Sequence, residues 1–319
     1  MNDLPQPLQP DAEVIAAQAA VKARGLTNGD VLRQPINDAR AATYLYQTFL
    51  NEGGPEAEIT EHLLPTEPPT PVRIYRPKGV SGVLPVYLHV HGGGFAIGDI
   101  NTLDRWKREV AASSGAVVVG LQYALSPEYP YPTALDQVMA VLEWLRRDAA
   151  TLGIDAERMG IGGDSAGGNL ALAALLRLRD AHQAMPRFGA INYGMLSSNH
   201  GTPSHLELGD GRFGLSTEKL DWFWTQYLGG DASLRTNPDA APLSAELRGL
   251  PPLLLLAAAL DPLLDDTLNL DRRLSEAGIP HETKIYQGVP HGFLGQTALL
   301  EKARQAQADI VAAIGRYLA

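Results

Sequence analysis

The sequence predicts an α/β protein: a mostly parallel central sheet of about eight strands, covered by helices on both faces and carrying a helical cap. Three observations lead there. Short apolar runs recur along the chain without the polar alternation of half-exposed strands. Helical patterns separate several of those runs. One interval, from about Ser197 to Leu247, breaks the alternation and supplies turns and an aromatic-rich helix but no core strand.

In chain order, DAEVIAAQAAVKARG reads as a helix behind a capping Asp11, and NDARAATYLYQTFLNEGG as a second ended by paired glycines. Both have apolar faces that need covering. The Pro-rich LLPTEPPTPVRIYRP then reads as edge strands. LPVYLHV (84–90), AVVVGLQYAL (116–125), RMGIGG (158–163), RFGAINYG (187–194) and PPLLLLAAA (251–259) read as buried parallel strands, with HETKIY (281–286) as a further one. Between and after them, LDRWKREVAASSG, TALDQVMAVLEWLRRDAATLG, GGNLALAALLRLRD and EKARQAQADIVAAIGRYL read as helices. The resulting division is residues 1–50 as the N-terminal part of a helical cap, 51–196 and 248–319 as the two parts of the core, and 197–247 as a cap insertion.

Composition narrows the functional classes. At 319 residues and 45% hydrophobic content, the chain is long enough for one large core. Lys and Arg number 26 against 36 Asp and Glu, a net charge of -10, which disfavours nucleic acid or an anionic membrane as partner. The absence of cysteine excludes disulfides, thiolate metal sites and a cysteine nucleophile. MNDLPQPLQPDAEV lacks the positive flank and apolar run of a secretory signal, and PPLLLLAAAL is too short to span a bilayer, so a cytoplasmic location is expected.

GDSAGG (163–168) fits G-x-S-x-G through Gly163, Ser165 and Gly167, between a strand pattern and an Ala- and Leu-rich helix. A sharp strand-to-helix turn presents the serine outward, where flanking side chains would collide with backbone. Read alone, the six residues could also be merely a glycine-rich turn, so the serine's partners must come from elsewhere. His62, His182, His200 and His205 lie in polar or helical stretches and read as surface residues. His89, inside a strand pattern, reads as a hydrogen-bonded packing residue, and His281 as structural. His291, in the loop QGVPHGFLG after the last strand, is where a base could enter. The acid is expected at the end of the preceding strand. Asp261 follows LLLLAAAL directly, whereas Asp265 and Asp266 could cap or solvate the next helix. The order Ser165, Asp261, His291 matches Ser, acid, base in proteins built around this turn.

HVHGGGFAIGD places three glycines after strand 84–90, so main-chain N–H groups can approach a tetrahedral oxygen with no Cβ in the way. Gly93 and Gly94 are the expected donors, with Ala166 at the start of the next helix as a third. His91 is expected to bond within the loop. For the substrate pocket the candidates are Asp164, Trp222 and Trp224 from LDWFWTQYL, Leu263 and Phe293; Phe223 and Tyr227 share that aromatic stretch, and only some of the four fall on one helix face.

HGGGF, YALSPEYPYPTAL, GDSAGG, DPLLDD and HGF together resemble the hormone-sensitive-lipase-like family of α/β-hydrolases, in particular its bacterial acetyl esterase branch, from about residue 70 to the end. The resemblance implies an α/β-hydrolase fold, Ser165, Asp261 and His291 as nucleophile, acid and base, and Gly93, Gly94 and Ala166 as oxyanion donors. It also implies a helical cap, no cofactor and short-chain ester substrates. Ala124 and Ser126 stand where relatives usually carry arginine and alanine, and Glu128 is expected in a buried ion pair or hydrogen bond. The expected function is a serine carboxylesterase acting through an acyl-enzyme on a small-molecule ester, as monomer or homodimer. An amidase or specialised deacetylase could use the same residues. A ligand-binding protein without catalysis would be expected to lack part of the set, and no H-E-x-x-H or compact ligand cluster suggests a metal.

Overall fold

The computed structural model describes residues 8–319; residues 1–7 of the expected N-terminal cap segment lie outside it. Two helices come first, α1 (Ala12–Ala23) and α2 (Ile36–Leu50), then strands β1 (Ala57–Leu64), β2 (Thr70–Pro77) and β3 (Leu84–Val90). The alternation follows as α3 (Asp104–Ser114), β4 (Val117–Leu121), α4 (Thr133–Arg147), α5 (Ala149–Leu152), β5 (Ile154–Asp164), α6 (Ala166–Asp180) and β6 (Phe188–Asn192). After α7 (Pro203–Leu208) and α8 (Thr217–Tyr227), the chain ends with β7 (Leu253–Leu260), α9 (Leu264–Ala277), β8 (His281–Pro290) and α10 (Glu301–Leu318).

The eight strands form one sheet in the order β1-β2-β4-β3-β5-β6-β7-β8. β1 runs antiparallel to β2, and β2 to β4; every other pairing is parallel. The inner strands are apolar on both sides because both sides are covered: β4, β6 and β7 are buried at every position. Leu88 and Val90 face a cluster with α4, α6 and α9, while Tyr87 packs with α3 and α10. α4 fits its site through Leu135, Val138, Leu142 and Leu145, a buried stripe at helical spacing. The edge strand β1 leaves Ile59 and Leu63 exposed.

Local boundaries differ from the sequence reading where tertiary bonds intervene. AVVVGLQYAL leaves the sheet at Leu121; Gln122 N–H still bonds Pro71 O, and the Tyr123 hydroxyl donates to His91 O at 3.0 Å. RMGIGG belongs to a strand that starts at Ile154, and HETKIY to one that continues to Pro290. Asp11 occupies the N-cap position of α1 but makes no side-chain cap bond; its carboxylate accepts from Lys302 of α10 at 2.5 Å.

The 197–247 interval contributes no strand to the sheet, and two carboxylates hold it down. Asp266 accepts the N–H groups of Leu196 and Ser197 at 2.8 and 3.0 Å, and Asp265 accepts that of Ser204 at 2.7 Å. Both carboxylates are buried, so neither solvates the helix start as the sequence suggested. Burial pushes the Asp266 carboxyl up to about 8, although the two N–H bonds oppose it. A carboxyl that binds its proton more tightly when folded adds stability that is complete below its unfolded value of 3.8 and is lost as pH rises through about 8. Asp266→Asn, which keeps an acceptor oxygen, should therefore gain stability relative to the native protein from pH 4 to pH 8 and hold that gain above. Thermal denaturation across this range checks it; a pH-independent difference would contradict it.

Candidate active site

Parallel strands deliver their C-terminal ends to one edge of a sheet, where loops are free to form a site. β3, β5, β7 and β8 end at Val90, Asp164, Leu260 and Pro290, and the next residues are His91 with the three glycines, Ser165, Asp261 and His291. The topology thus gathers segments up to about 200 positions apart in sequence onto one edge.

Ser165 sits between β5 and α6 at φ 56°, ψ -118°, a conformation that side chains rarely adopt. Backbone bonds on both sides hold it: its N–H donates to Asn192 O at 2.9 Å, and its carbonyl accepts from Asn169 and Met195 at 3.1 Å. The flanking glycines are required by contact. A Cβ at Gly167 would lie 2.0 Å from Val90 O, and one at Gly163 would lie 2.3 Å from the Gly167 backbone. Ser165 Oγ is 2.9 Å from His291 Nε2, and His291 Nδ1 is 2.6 Å from Asp261 Oδ2. Asp261 is fully buried, and its second oxygen accepts the Leu263 N–H at 2.9 Å. With Nδ1–H donating to the carboxylate, Nε2 is left as acceptor for the serine hydroxyl.

The glycine loop lies alongside. Gly93 (φ 118°) and Gly94 (φ 58°) curl so that Gly93 O accepts from Ala96 and Ile97. Among the described residues, the N–H groups of Gly93, Gly94 and Ala166 donate to no protein acceptor. His91 Nδ1 bonds Gly92 O at 2.7 Å, and its ring stacks on Tyr123. Burial lowers the His91 imidazole to about 4, so it is neutral here.

Of the residues considered for the pocket, Trp224 is fully buried against Phe95 and Tyr227, and Phe293 against Tyr193 and Tyr286. Leu263 is fully buried beside Asp261, Trp222 is half-buried and edge-on to Phe223, and Asp164 bonds the Gly92 N–H at 3.0 Å. The ring that meets the glycine loop is Phe223: a Cβ on Gly94 would stand 2.2 Å from it. Tyr193 is another residue the sequence did not single out. It lies edge-on to His291 with ring centroids 4.9 Å apart, at a backbone φ of 38°. Its nearest sequence signal was its place near the end of the strand pattern RFGAINYG.

Other histidines and acids differ from the sequence reading. His89 packs against Trp106 but its ring nitrogens form no hydrogen bond; Asp164 Oδ1 lies 3.4 Å from Nε2. His205 is buried rather than on the surface, because α7 is clamped to Asp265 and Thr202 bonds its Nδ1 at 2.7 Å. Glu128 pairs with Arg40 through both oxygens, at 2.8 and 2.7 Å, but on a half-exposed surface. A cleft of about 380 Å³ between α2 and the 98–102 turn includes Arg40, Tyr44, Gln47 and Asp99, and contains none of Ser165, Asp261 or His291. Among the described residues, no three His, Asp or Glu side chains converge to hold a metal, and no helix is long and apolar enough to cross a membrane.

A serine, imidazole and buried carboxylate in hydrogen-bonded series, beside unpaired N–H groups on this fold, define the class as a serine hydrolase. A family model described as "alpha/beta hydrolase fold" matches residues 87–295, and the chain belongs to that family. It is 34% identical over 269 residues to a carboxylesterase of Mycobacterium tuberculosis, covering 83% of this chain and 84% of that protein. To an ethyl acetate hydrolase of Pseudomonas putida it is 32% identical over 252 residues, covering 78% and 79%. Among solved structures, an ester hydrolase from the metagenome of Lake Arreo, in complex with a bipyridine phosphonate derivative, superposes with a TM-score of 0.89 at 33% identity, over 97% of this chain and 99% of that one. A hyperthermophilic esterase of Pyrobaculum calidifontis superposes with a TM-score of 0.86 at 30% identity, over 90% and 95%.

Proposed function

We propose that the protein is a carboxylesterase for short-chain acyl esters, of the hormone-sensitive-lipase-like acetyl esterase type. The observation that carries this reading is the Asp261–His291–Ser165 series, at 2.6 and 2.9 Å, on the same sheet edge as the glycine loop. Ser165 Oγ attacks the ester carbonyl as His291 Nε2 takes its proton, and Asp261 stabilises the imidazolium that forms. The tetrahedral oxygen gains the N–H groups of Gly93, Gly94 and Ala166. Collapse expels the alcohol, protonated by His291, and water then repeats the sequence on the acyl-enzyme.

In this reading α1 and α2 (within 1–50) and α7 and α8 (within 197–247) form the cap. Support comes from their position outside the sheet and from Phe223 of α8, whose ring rests on Gly94. An aromatic ring at that point narrows the space beside the reacting carbonyl, which favours small acyl groups.

The test is hydrolysis of p-nitrophenyl esters from acetyl to dodecanoyl, with matching anilides. Turnover should fall steeply beyond hexanoyl, and Phe223→Ala should raise relative rates on octanoyl and longer chains. A flat chain-length profile would refute the small pocket, and preferred cleavage of anilides would make the protein an amidase.

A further inference from the structure

Asp164 takes no part in the proton relay, yet its carboxylate is buried beside it. Oδ1 accepts the Gly92 N–H at 3.0 Å, and a Cβ on Gly92 would stand 2.4 Å from Oδ2. Asp164 closes β5 immediately before Ser165, and Gly92 immediately precedes Gly93 and Gly94. One hydrogen bond therefore ties the turn presenting the nucleophile to the loop presenting the oxyanion donors. The other bonds of that loop, among them His91 Nδ1 to Gly92 O, Tyr123 Oη to His91 O and the Ala96 and Ile97 N–H groups to Gly93 O, do not reach the serine turn.

Beneath the carboxylate lies a polar array away from the reacting atoms. His89 Nε2 is 3.4 Å from Asp164 Oδ1, and neither ring nitrogen of His89 has a hydrogen bond. Burial holds this imidazole neutral. Next to Trp106, against which His89 packs, Lys107 of α3 is also buried, its ammonium donating to Ile100 O at 3.1 Å. The other groups within electrostatic reach of Asp164 are His291 after β8 and the neutral hydroxyls of Tyr87, Tyr123 and Tyr193. The Lys107 ammonium lies beside His89: a Cβ on Gly120, the residue paired with His89 between β3 and β4, would stand 2.8 Å from Nζ.

We propose that Asp164 is a positioning residue that fixes the glycine loop against the nucleophile turn through Gly92, and that Lys107 acts on turnover by keeping that carboxylate charged. The inference rests on the esterase reading above. Burial pushes the Asp164 carboxyl up to about 6, while the Gly92 N–H, His291 and Lys107 pull it down. Protonation replaces a charge-assisted hydrogen bond with a weaker neutral one. The well-held loop is the high-pH form; it is lost as pH falls through about 6, and without Lys107 that loss moves to higher pH.

The experiment is the pH dependence of kcat and KM for p-nitrophenyl acetate in the native protein, Asp164→Asn, Lys107→Met and the double variant. Asparagine keeps an acceptor for Gly92 but no charge, so kcat near pH 8 should drop about tenfold with KM within about twofold. The acid limb of kcat should become shallower by one proton. Lys107→Met should move the native acid limb upward and should not move the limb of Asp164→Asn, since it acts through the missing carboxylate. Equal displacement by Lys107→Met in both backgrounds, or an Asp164→Asn protein with the native kcat and limb, overturns the proposal. Should Lys107→Met fail to fold, the Asp164→Asn limb decides alone. Stoichiometric phosphonylation of Ser165 is measured in parallel. A native protein that neither hydrolyses the ester nor is labelled refutes the esterase reading, whereas labelling and turnover with an unaltered limb refute only the role of Asp164.

Discussion

Ser165→Ala is expected to lower kcat/KM for p-nitrophenyl acetate by about 10⁴- to 10⁶-fold. The hydroxyl is the group that His291 Nε2 reaches at 2.9 Å, and no cysteine exists anywhere in the chain to replace it. The fold should be indifferent to the change. Ser165 is held by its backbone bonds to Asn192, Asn169 and Met195, which alanine keeps, and alanine at φ 56° suffers the same strain that serine already bears. Circular dichroism and the melting temperature should match the native protein while turnover disappears. Residual catalysis above the uncatalysed rate would come from the oxyanion donors and binding alone. A variant retaining near-native turnover would mean that another group attacks the ester, and the mechanism would have to be abandoned.

Gly94→Ala should be strongly damaging, because it fails in two ways. At φ 58° alanine costs about 1 to 2 kcal/mol relative to glycine. Its Cβ would also enter the ring of Phe223 at 2.2 Å, so either the loop or α8 must move. If the loop moves, an N–H proposed above as an oxyanion donor is displaced, and losing one such donor costs on the order of 10²- to 10³-fold in kcat. The second variant separates the causes. Phe223→Ala removes the obstacle but not the backbone strain, so the pair Gly94→Ala with Phe223→Ala should recover a large part of kcat, a coupling that distant sites would not show. A double variant no more active than Gly94→Ala would place the damage wholly in the backbone.

How much of this was legible beforehand varies residue by residue. The turn around Ser165 and the run of glycines after His91 were readable because their requirement is local: a backbone path that only glycine allows, next to an apolar strand. Choosing among Asp261, Asp265 and Asp266 was harder, since all three lie within six positions. Asp261 adjoins the end of β7 and faces the β8 loop, while Asp265 and Asp266 turn to the segment beyond β6. The one local sign is that Asp261 directly follows the strand; that Asp265 and Asp266 accept backbone N–H groups of the segment beyond β6 is set by the fold. His205 shows the same limit in reverse: a polar neighbourhood in sequence became a buried one when α7 docked on Asp265.

By itself the sequence determined the elements and the chemistry they could carry: apolar runs too continuous for a half-exposed sheet, glycines where the backbone must approach closely, and one loop histidine after the last strand. Hydrophobic periodicity and backbone sterics act within a few residues, so they are written in the local pattern. The fold alone decided which distant groups touch. Phe223 on Gly94, Tyr193 against His291 and Asp164 under Gly92 depend on strand order and helix docking, where close packing of complementary shapes selects one contact among many that the same residues could make.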